Sequence, residues 1–142
     1  MNAKNTKIKI FLITGSLLLC YLSCKKENTQ QIPYVSVNLT LSANELLQIP
    51  LSSTKSYPGG NDSIYIFHAD LNTYNAYDRL CTYFPNDTSR IVTDVAGGTT
   101  ATCPRCGSKY ELIFGSIIKG PARYPLRQYQ TTVLGGRLYV TN

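Results

Sequence analysis

The chain has 142 residues, of which 43% are hydrophobic, and it carries 14 Lys and Arg against 8 Asp and Glu. This length suits one domain with an N-terminal appendage, because a domain of about 100 residues can bury its own core. Three of the lysines fall in the appendage, which leaves a net charge of about +3 on the rest. So small and scattered a charge excludes the basic stripe of a nucleic-acid-binding protein.

Residues 1–24 are predicted to be an export signal. Lysines precede an apolar run over residues 8–22, and Leu22-Ser23-Cys24 is followed by polar residues. This pattern resembles a bacterial lipoprotein signal, and the resemblance implies lipidation at Cys24. The expected location is a bacterial membrane, on its periplasmic or cell-surface side. An uncleaved anchor is the alternative, although the run is shorter than the roughly 20 residues that span a bilayer.

Residues 25–31 are polar and without periodicity, and they are predicted to be a tether. The domain is predicted to span residues 32–142. Apolar and polar residues alternate over 35–41, which is typical of a strand with one exposed face. A second strand is predicted at 46–51, kept at a sheet edge by Pro50.

Further strands are predicted where short apolar runs lie between turn residues. They cover 63–68, 73–78, 91–95, 99–102, 110–114, 128–133 and 137–140. Glycine pairs at 97–98 and 135–136 indicate hairpin turns. No segment has a helical period, so the predicted fold is all-β. It is a sandwich or small barrel of short antiparallel strands, in which two hairpins each deliver a loop that contains cysteine.

The cysteine count limits the chemistry of the domain. If Cys24 carries lipid and Cys20 is removed with the signal, then Cys81, Cys103 and Cys106 remain. An odd number of cysteines cannot pair completely within an exported domain. Either one thiol stays free, or one metal centre uses all three.

From about Tyr34 onwards the chain resembles the Rieske iron–sulfur domain family. The family pattern is Cys-x-His, then Cys-x-x-His-Gly-Ser, then a Gly-Pro loop that caps the cluster. The chain has Cys81-Thr82-Tyr83, then residues 103–108 with the sequence Cys-Pro-Arg-Cys-Gly-Ser, then Gly120-Pro121-Ala122. The resemblance implies a two-iron, two-sulfide (2Fe-2S) centre and electron transfer.

The ligand positions depart from the family pattern. In the family, two cysteines hold one iron and two histidines hold the other. Cys81 and Cys103 match the cysteine positions, but Tyr83 and Cys106 occupy the histidine positions, and His68 lies outside both motifs on a predicted strand. The resemblance therefore implies an atypical cluster bound by Cys81, Cys103 and Cys106, with Tyr83 or an external oxygen as the last donor.

The resemblance also implies roles for residues around the centre. Ser108 and Tyr110 match the family's hydrogen-bond donors to sulfur, and Gly120 and Pro121 match its capping loop. Arg105, inside the second motif, is expected to offset the charge of the thiolates.

Two other arrangements of the cysteines stay open. Zinc could bind the three thiolates and a fourth donor, or Cys103 and Cys106 could form a local disulfide that leaves Cys81 reduced. In either case the domain would be a structural or binding module. Thiol–disulfide exchange by this pair is less favoured, because the motif does not open a helix that would lower the pKa of a thiol. The sequence names no redox partner, and by itself the chain is not expected to be an enzyme.

Overall fold

A computed structural model describes residues 32–142, and the predicted signal, the predicted lipidation site Cys24 and the predicted tether lie outside these residues. The described part contains ten β-strands and one short helix. The elements are β1 (Asn38–Leu41), α1 (Ala43–Leu46), β2 (Thr54–Gly59), β3 (Asp62–Asp70), β4 (Thr73–Asp78), β5 (Val92–Thr93), β6 (Thr100–Thr102), β7 (Lys109–Glu111), β8 (Ile117–Lys119), β9 (Gln128–Leu134) and β10 (Arg137–Thr141). The all-β prediction is confirmed.

The strands form two antiparallel sheets. The larger sheet has six strands in the order β1-β10-β9-β4-β3-β2, and the smaller sheet has four in the order β5-β6-β7-β8. The predicted hairpins appear as β3-β4, β5-β6 and β9-β10. The smaller sheet is inserted between β4 and β9 of the larger one, so both of its ends are anchored to the same pair of neighbouring strands.

Strand β3 lies between two hydrophobic cores. Because successive side chains of a strand point to opposite faces, Ile64 and Ile66 pack in one core while Tyr65 and Phe67 pack in the other. The second core also contains Cys81 and its neighbours from the smaller sheet. Burial on both faces explains why β3 reads as an unbroken apolar run.

The prediction of a strand at residues 46–51 is wrong. The segment instead holds the end of α1 followed by a turn. Ser42 and Glu45 form a capping box, in which the backbone N–H of Ser42 donates to Glu45 Oε2 at 2.7 Å. A capping box satisfies backbone N–H donors at the start of a helix. Its serine and its glutamate three residues later can be read from the sequence. The edge strand that contains a proline is β2, which includes Pro58 and lies at one end of the larger sheet.

Among residues 32–142, no helix has the length and the apolar character needed to cross a bilayer.

Candidate metal centre

Two loops converge on the candidate site. The first loop, residues 79–91, leaves β4, and the second loop, residues 103–108, joins β6 to β7. In the first loop the backbone N–H of Cys81 donates to the carbonyl of Ser89 at 2.8 Å, and Phe84 N–H donates to the carbonyl of Cys81 at 3.0 Å. These hydrogen bonds fold the loop back on itself and fix the position of Cys81.

The second loop is a tight turn closed by its own backbone. The N–H of Cys103 donates to the carbonyl of Ser108, and Gly107 N–H donates back to the carbonyl of Cys103, each at 2.8 Å. Gly107 has a φ of 73°, which lies in the left-handed region that favours glycine. The turn brings Cys103 and Cys106 to the same side as the first loop.

The structure places all three predicted cysteine ligands together. Their sulfur atoms lie within 4.8 Å of one another, and the Sγ atoms of Cys81 and Cys106 are 3.6 Å apart. Cys81 and Cys103 are 0% exposed, whereas Cys106 is half-buried. All three are free thiols in the part of the chain described. The contact between Cys81 and Cys106 thus joins the two loops.

The hydroxyl groups of Ser108 and Tyr110 both face these sulfurs. Ser108 Oγ lies 3.1 Å from Cys106 Sγ and accepts a hydrogen bond from Ala122 N–H at 2.8 Å. The second bond holds the predicted capping loop, which contains Gly120 and Pro121, against the second loop. Tyr110 Oη lies 3.7 Å from Cys81 Sγ. Both hydroxyls are therefore placed to donate to thiolate sulfur.

Thr82 is a site residue that the sequence analysis missed. It is buried, its Oγ1 lies 2.9 Å from Tyr110 Oη, and it donates to the carbonyl of Tyr124 at 2.7 Å. Because the carbonyl can only accept, the Thr82 proton is used there, and Tyr110 can donate to Thr82 or to Cys81. No signal in the sequence distinguishes a threonine with this role from any other loop threonine.

Two other predicted residues have different surroundings. Tyr83 is 42% exposed, and its ring packs edge-on against Phe84 with ring centroids 4.8 Å apart; its role as a ligand stays a prediction. Arg105 forms an ion pair with Asp87, and its guanidinium lies 4.2 Å from the centre of the Phe84 ring. The charge of Arg105 is therefore matched by a carboxylate, and it is less able to offset the thiolates.

His68 lies in β3 and makes no contact that suggests a ligand. Its Nδ1 is 2.7 Å from the carbonyl oxygen of Ile49, so Nδ1 carries the proton, and its ring stacks on Tyr74 with centroids 4.3 Å apart. Its buried Nε2 has no hydrogen-bond partner among residues 32–142. A cluster with two histidine ligands does not fit this chain, whereas a centre bound by thiolates does.

The surroundings of Cys81 and Cys106 shift the pKa values of these two thiols in opposite directions. Burial raises the pKa of Cys81 to about 12. Burial also acts to raise the pKa of Cys106. Hydrogen bonds from the Ser108 side chain and backbone, and from the neighbouring thiols, outweigh burial and lower the pKa of Cys106 below its usual value. In metal-free protein, Cys106 is therefore the first of these two thiols to ionise as the pH rises.

This order of ionisation predicts an order of alkylation. In reduced, metal-free protein, iodoacetamide should modify Cys106 at neutral pH while Cys81 stays unmodified, because only the thiolate is a nucleophile. Ser108→Ala should move the onset of Cys106 alkylation to higher pH, with Ser116→Ala as the control on an exposed serine immediately before β8. Peptide mass spectrometry after timed quenching measures both sites. Faster modification of Cys81 than of Cys106 would contradict the prediction.

Comparisons with known proteins support the fold. No protein-family model matches the chain, and no curated protein sequence matches it. The cyanobacterial plasma membrane Rieske protein from Synechocystis PCC 6803 is similar in structure, with a TM-score of 0.54 and 19% identity over 73% of this chain and 97% of that one.

Two ferredoxins are similar to the same extent. The Sphingomonas yanoikuyae B1 ferredoxin has a TM-score of 0.52 and 16% identity, over 76% of this chain and 99% of that one. The ferredoxin of carbazole 1,9a-dioxygenase from Nocardioides aromaticivorans IC177 has a TM-score of 0.50 and 17% identity, over 75% of this chain and 97% of that one. The described part of the chain therefore has a Rieske-like fold, in which two cysteine loops bring three thiols together.

Proposed function

We propose that this protein is a membrane-tethered electron-transfer protein whose Rieske-like domain carries iron bound by cysteine thiolates. The observation that carries the proposal is the convergence of the Cys81, Cys103 and Cys106 sulfurs within 4.8 Å at the ends of two loops. Thiolate is the ligand that iron–sulfur centres use. The proposal holds for the two-iron, two-sulfide cluster expected from the resemblance and also for a single iron.

The protein would supply the ligands, the burial and the hydrogen bonds. Two of the cysteines are completely buried, so water is kept from that side of the centre. Ser108 and Tyr110 have hydroxyls within reach of sulfur, and such donors stabilise the more negative, reduced state of a centre. Thiolates in place of neutral imidazoles act in the opposite direction, and should put the potential below the roughly −150 to +300 mV of Rieske centres.

The proposed tether would keep the centre close to the membrane. Ile32 and Thr82 line the same cavity of about 380 Å³, so Ile32 lies on the side of the domain that carries the first loop. If Cys24 is lipidated, the eight residue steps to Ile32 reach at most about 29 Å. A redox partner that lies in the same membrane or is bound to it would be within reach.

Metal and sulfide analysis of protein prepared without oxygen tests the proposal. The full chain, purified in detergent from cells supplied with iron, should contain iron and show thiolate-to-iron charge-transfer absorption that bleaches on reduction and returns on oxidation. Fractionation of the same cells should place the protein in the membrane pellet. Cys24→Ser should abolish the acylation of the protein. Iron-free, colourless protein would overturn the proposed function.

The second candidate is a structural or binding module braced by zinc or by a disulfide. It is favoured by the histidine positions, which hold Tyr83 and Cys106, and by the short distance of 3.6 Å between the sulfurs of Cys81 and Cys106. Zinc analysis and thiol counting on the native protein test it. One bound zinc, or a disulfide within residues 32–142, would support the module, and three titratable thiols without metal would exclude both forms of bracing.

Tyr83→Phe tests whether the phenol is a metal ligand. Because Tyr83 packs on Phe84 at the surface of the first loop, we expect the variant to keep its bound metal and its absorption spectrum. The last donor would then be an external oxygen. Tyr83→Phe removes the hydroxyl and keeps the ring, whereas the control Phe84→Leu removes the ring contact and keeps the phenol. Loss of a visible charge-transfer band in Tyr83→Phe, but not in Phe84→Leu, would show that the phenolate coordinates the metal.

A further inference from the structure

The three sulfurs are close enough to share one ion. A tetrahedral ion with metal–sulfur bonds of about 2.3 Å holds its sulfur ligands about 3.8 Å apart. The sulfurs of Cys81 and Cys106 are 3.6 Å apart, and no pair among the three cysteines exceeds 4.8 Å. Binding a single ion therefore requires no sulfur–sulfur distance to shorten by more than about 1 Å to reach the tetrahedral spacing.

A two-iron cluster arranged as in the resemblance needs a different geometry. There, the first ligand of each loop binds one iron and the second ligand of each loop binds the other. In this chain Cys106 and Tyr83 would have to hold the second iron together. Cys106 Sγ instead lies against Cys81, a ligand of the first iron, and Tyr83 is 42% exposed with its ring against Phe84. The donor set for a second iron is not assembled.

The charge around the site requires a positively charged centre. Cys81 and Cys103 are completely buried, and buried thiolates need nearby positive charge to offset the cost of desolvation. Arg105, the basic residue of the second loop, is paired with Asp87. The positive charge must then come from the metal centre itself.

We infer that Cys81, Cys103 and Cys106 hold one thiophilic metal ion, not a two-iron cluster, and that its fourth position is open to an external oxygen donor on the side of the half-buried Cys106. Soft thiolate ligands select iron, zinc or Cu(I) over magnesium or calcium. The inference shares with the proposed function only the requirement that these thiolates bind metal, and it differs from what the resemblance implies about the number of ions.

The number of ions per chain tests the inference. The full chain with Cys20→Ser and Cys24→Ser, which removes both thiols outside the domain, is purified in detergent without oxygen and stripped of metal. It is titrated with Co²⁺ alone, and a second sample is reconstituted with ferrous iron and sulfide. We expect the intense visible bands of tetrahedral cobalt thiolate to saturate at one ion per chain. Native mass spectrometry should show one iron and no sulfide in the second sample.

Matched variants identify the ligands of the ion. Cys106→Ser should weaken cobalt binding by more than the roughly 100-fold that loss of an outer hydrogen-bond partner costs a metal site. Tyr83→Phe, at the other position expected to serve a second metal, should leave both the affinity and the cobalt spectrum unchanged. The metal-free Cys106→Ser variant should melt near the wild-type temperature, since its half-buried side chain contributes little to the core.

The outcomes separate this inference from the proposed function. Two irons and two sulfides per chain would overturn the single-ion inference and uphold electron transfer. One ion per chain, with no iron form that can be reduced and reoxidised, would support the inference and overturn electron transfer. One redox-active iron would support both, and a chain that binds neither cobalt nor iron would overturn both.

Discussion

Replacing Cys81 by serine is expected to cost the domain its metal. Cys81 is 0% exposed, and its sulfur lies 3.6 Å from that of Cys106. A serine hydroxyl is a hard donor that stays protonated near neutral pH, so one of three thiolates is lost. We expect the affinity for zinc or Co²⁺ to fall by more than the roughly 100-fold caused by loss of an outer-shell partner. Competition with a chromophoric chelator measures the change.

Two controls separate loss of the ligand from loss of the fold. Cys24→Ser makes the same chemical change outside residues 32–142, and it should leave the affinity unchanged. The metal-free Cys81→Ser domain should still fold, because the substitution conserves the shape of the side chain, and circular dichroism would report this. If Cys81→Ser keeps the full affinity for metal, two thiols are sufficient and the three-sulfur centre is wrong.

The strands could be predicted where local sequence decides them. Alternation of apolar and polar residues, with glycine turns, located β4, β9 and β10 to within a residue. Two elements of the larger sheet region were not predicted. Helix α1 is only four residues long, too short for a helical period, and only its capping residues Ser42 and Glu45 mark it. Strand β2 contains Lys55, Pro58 and Gly59, so its composition resembles a loop.

The identity of the cysteines could be predicted, but not their mutual distances. The order and spacing of the motifs indicated that Cys81, Cys103 and Cys106 meet, and the structure brings them together. Their separations depend on how the backbone of each loop closes, for example through the hydrogen bond from Cys103 N–H to the Ser108 carbonyl. Long-range partners such as Tyr124, whose carbonyl accepts from Thr82, have no local signal either.

Asp78 is another residue whose long-range partners could not be predicted from the local sequence, and it joins more elements of the fold than Thr82 does. It is a single acidic residue at the end of β4 in the sequence, yet it is 0% exposed. Its Oδ2 accepts from the hydroxyl of Tyr129 at 2.6 Å and from the backbone and side-chain nitrogens of Asn61 at 3.0 and 2.9 Å, and its Oδ1 accepts from Leu80 N–H at 2.8 Å. The carboxylate thereby joins β4, β9, the β2–β3 turn and the start of the first loop.

Asp78→Ala is expected to destabilise the whole domain. The substitution leaves the buried hydroxyl of Tyr129 and the N–H of Leu80 without their acceptor, and buried donors without a partner cost about 1–3 kcal/mol each. We expect the free energy of unfolding to fall by about 2–4 kcal/mol, because water entering the vacated space offsets part of the loss. The melting temperature, followed by circular dichroism, should fall by roughly 10–20 °C.

Two further substitutions show whether the hydrogen bonds of Asp78 cause the loss. Asp78→Asn keeps the shape of the side chain and one acceptor oxygen, so it should recover part of the stability. Asp70→Ala removes a carboxylate of the same kind from the exposed end of β3, and it should change the melting temperature by no more than a few degrees. Because Leu80 immediately precedes Cys81, Asp78→Ala should also weaken metal binding at temperatures where the domain remains folded. Equal melting temperatures for Asp78→Ala and Asp70→Ala would mean that this buried carboxylate does not hold the first loop to the larger sheet.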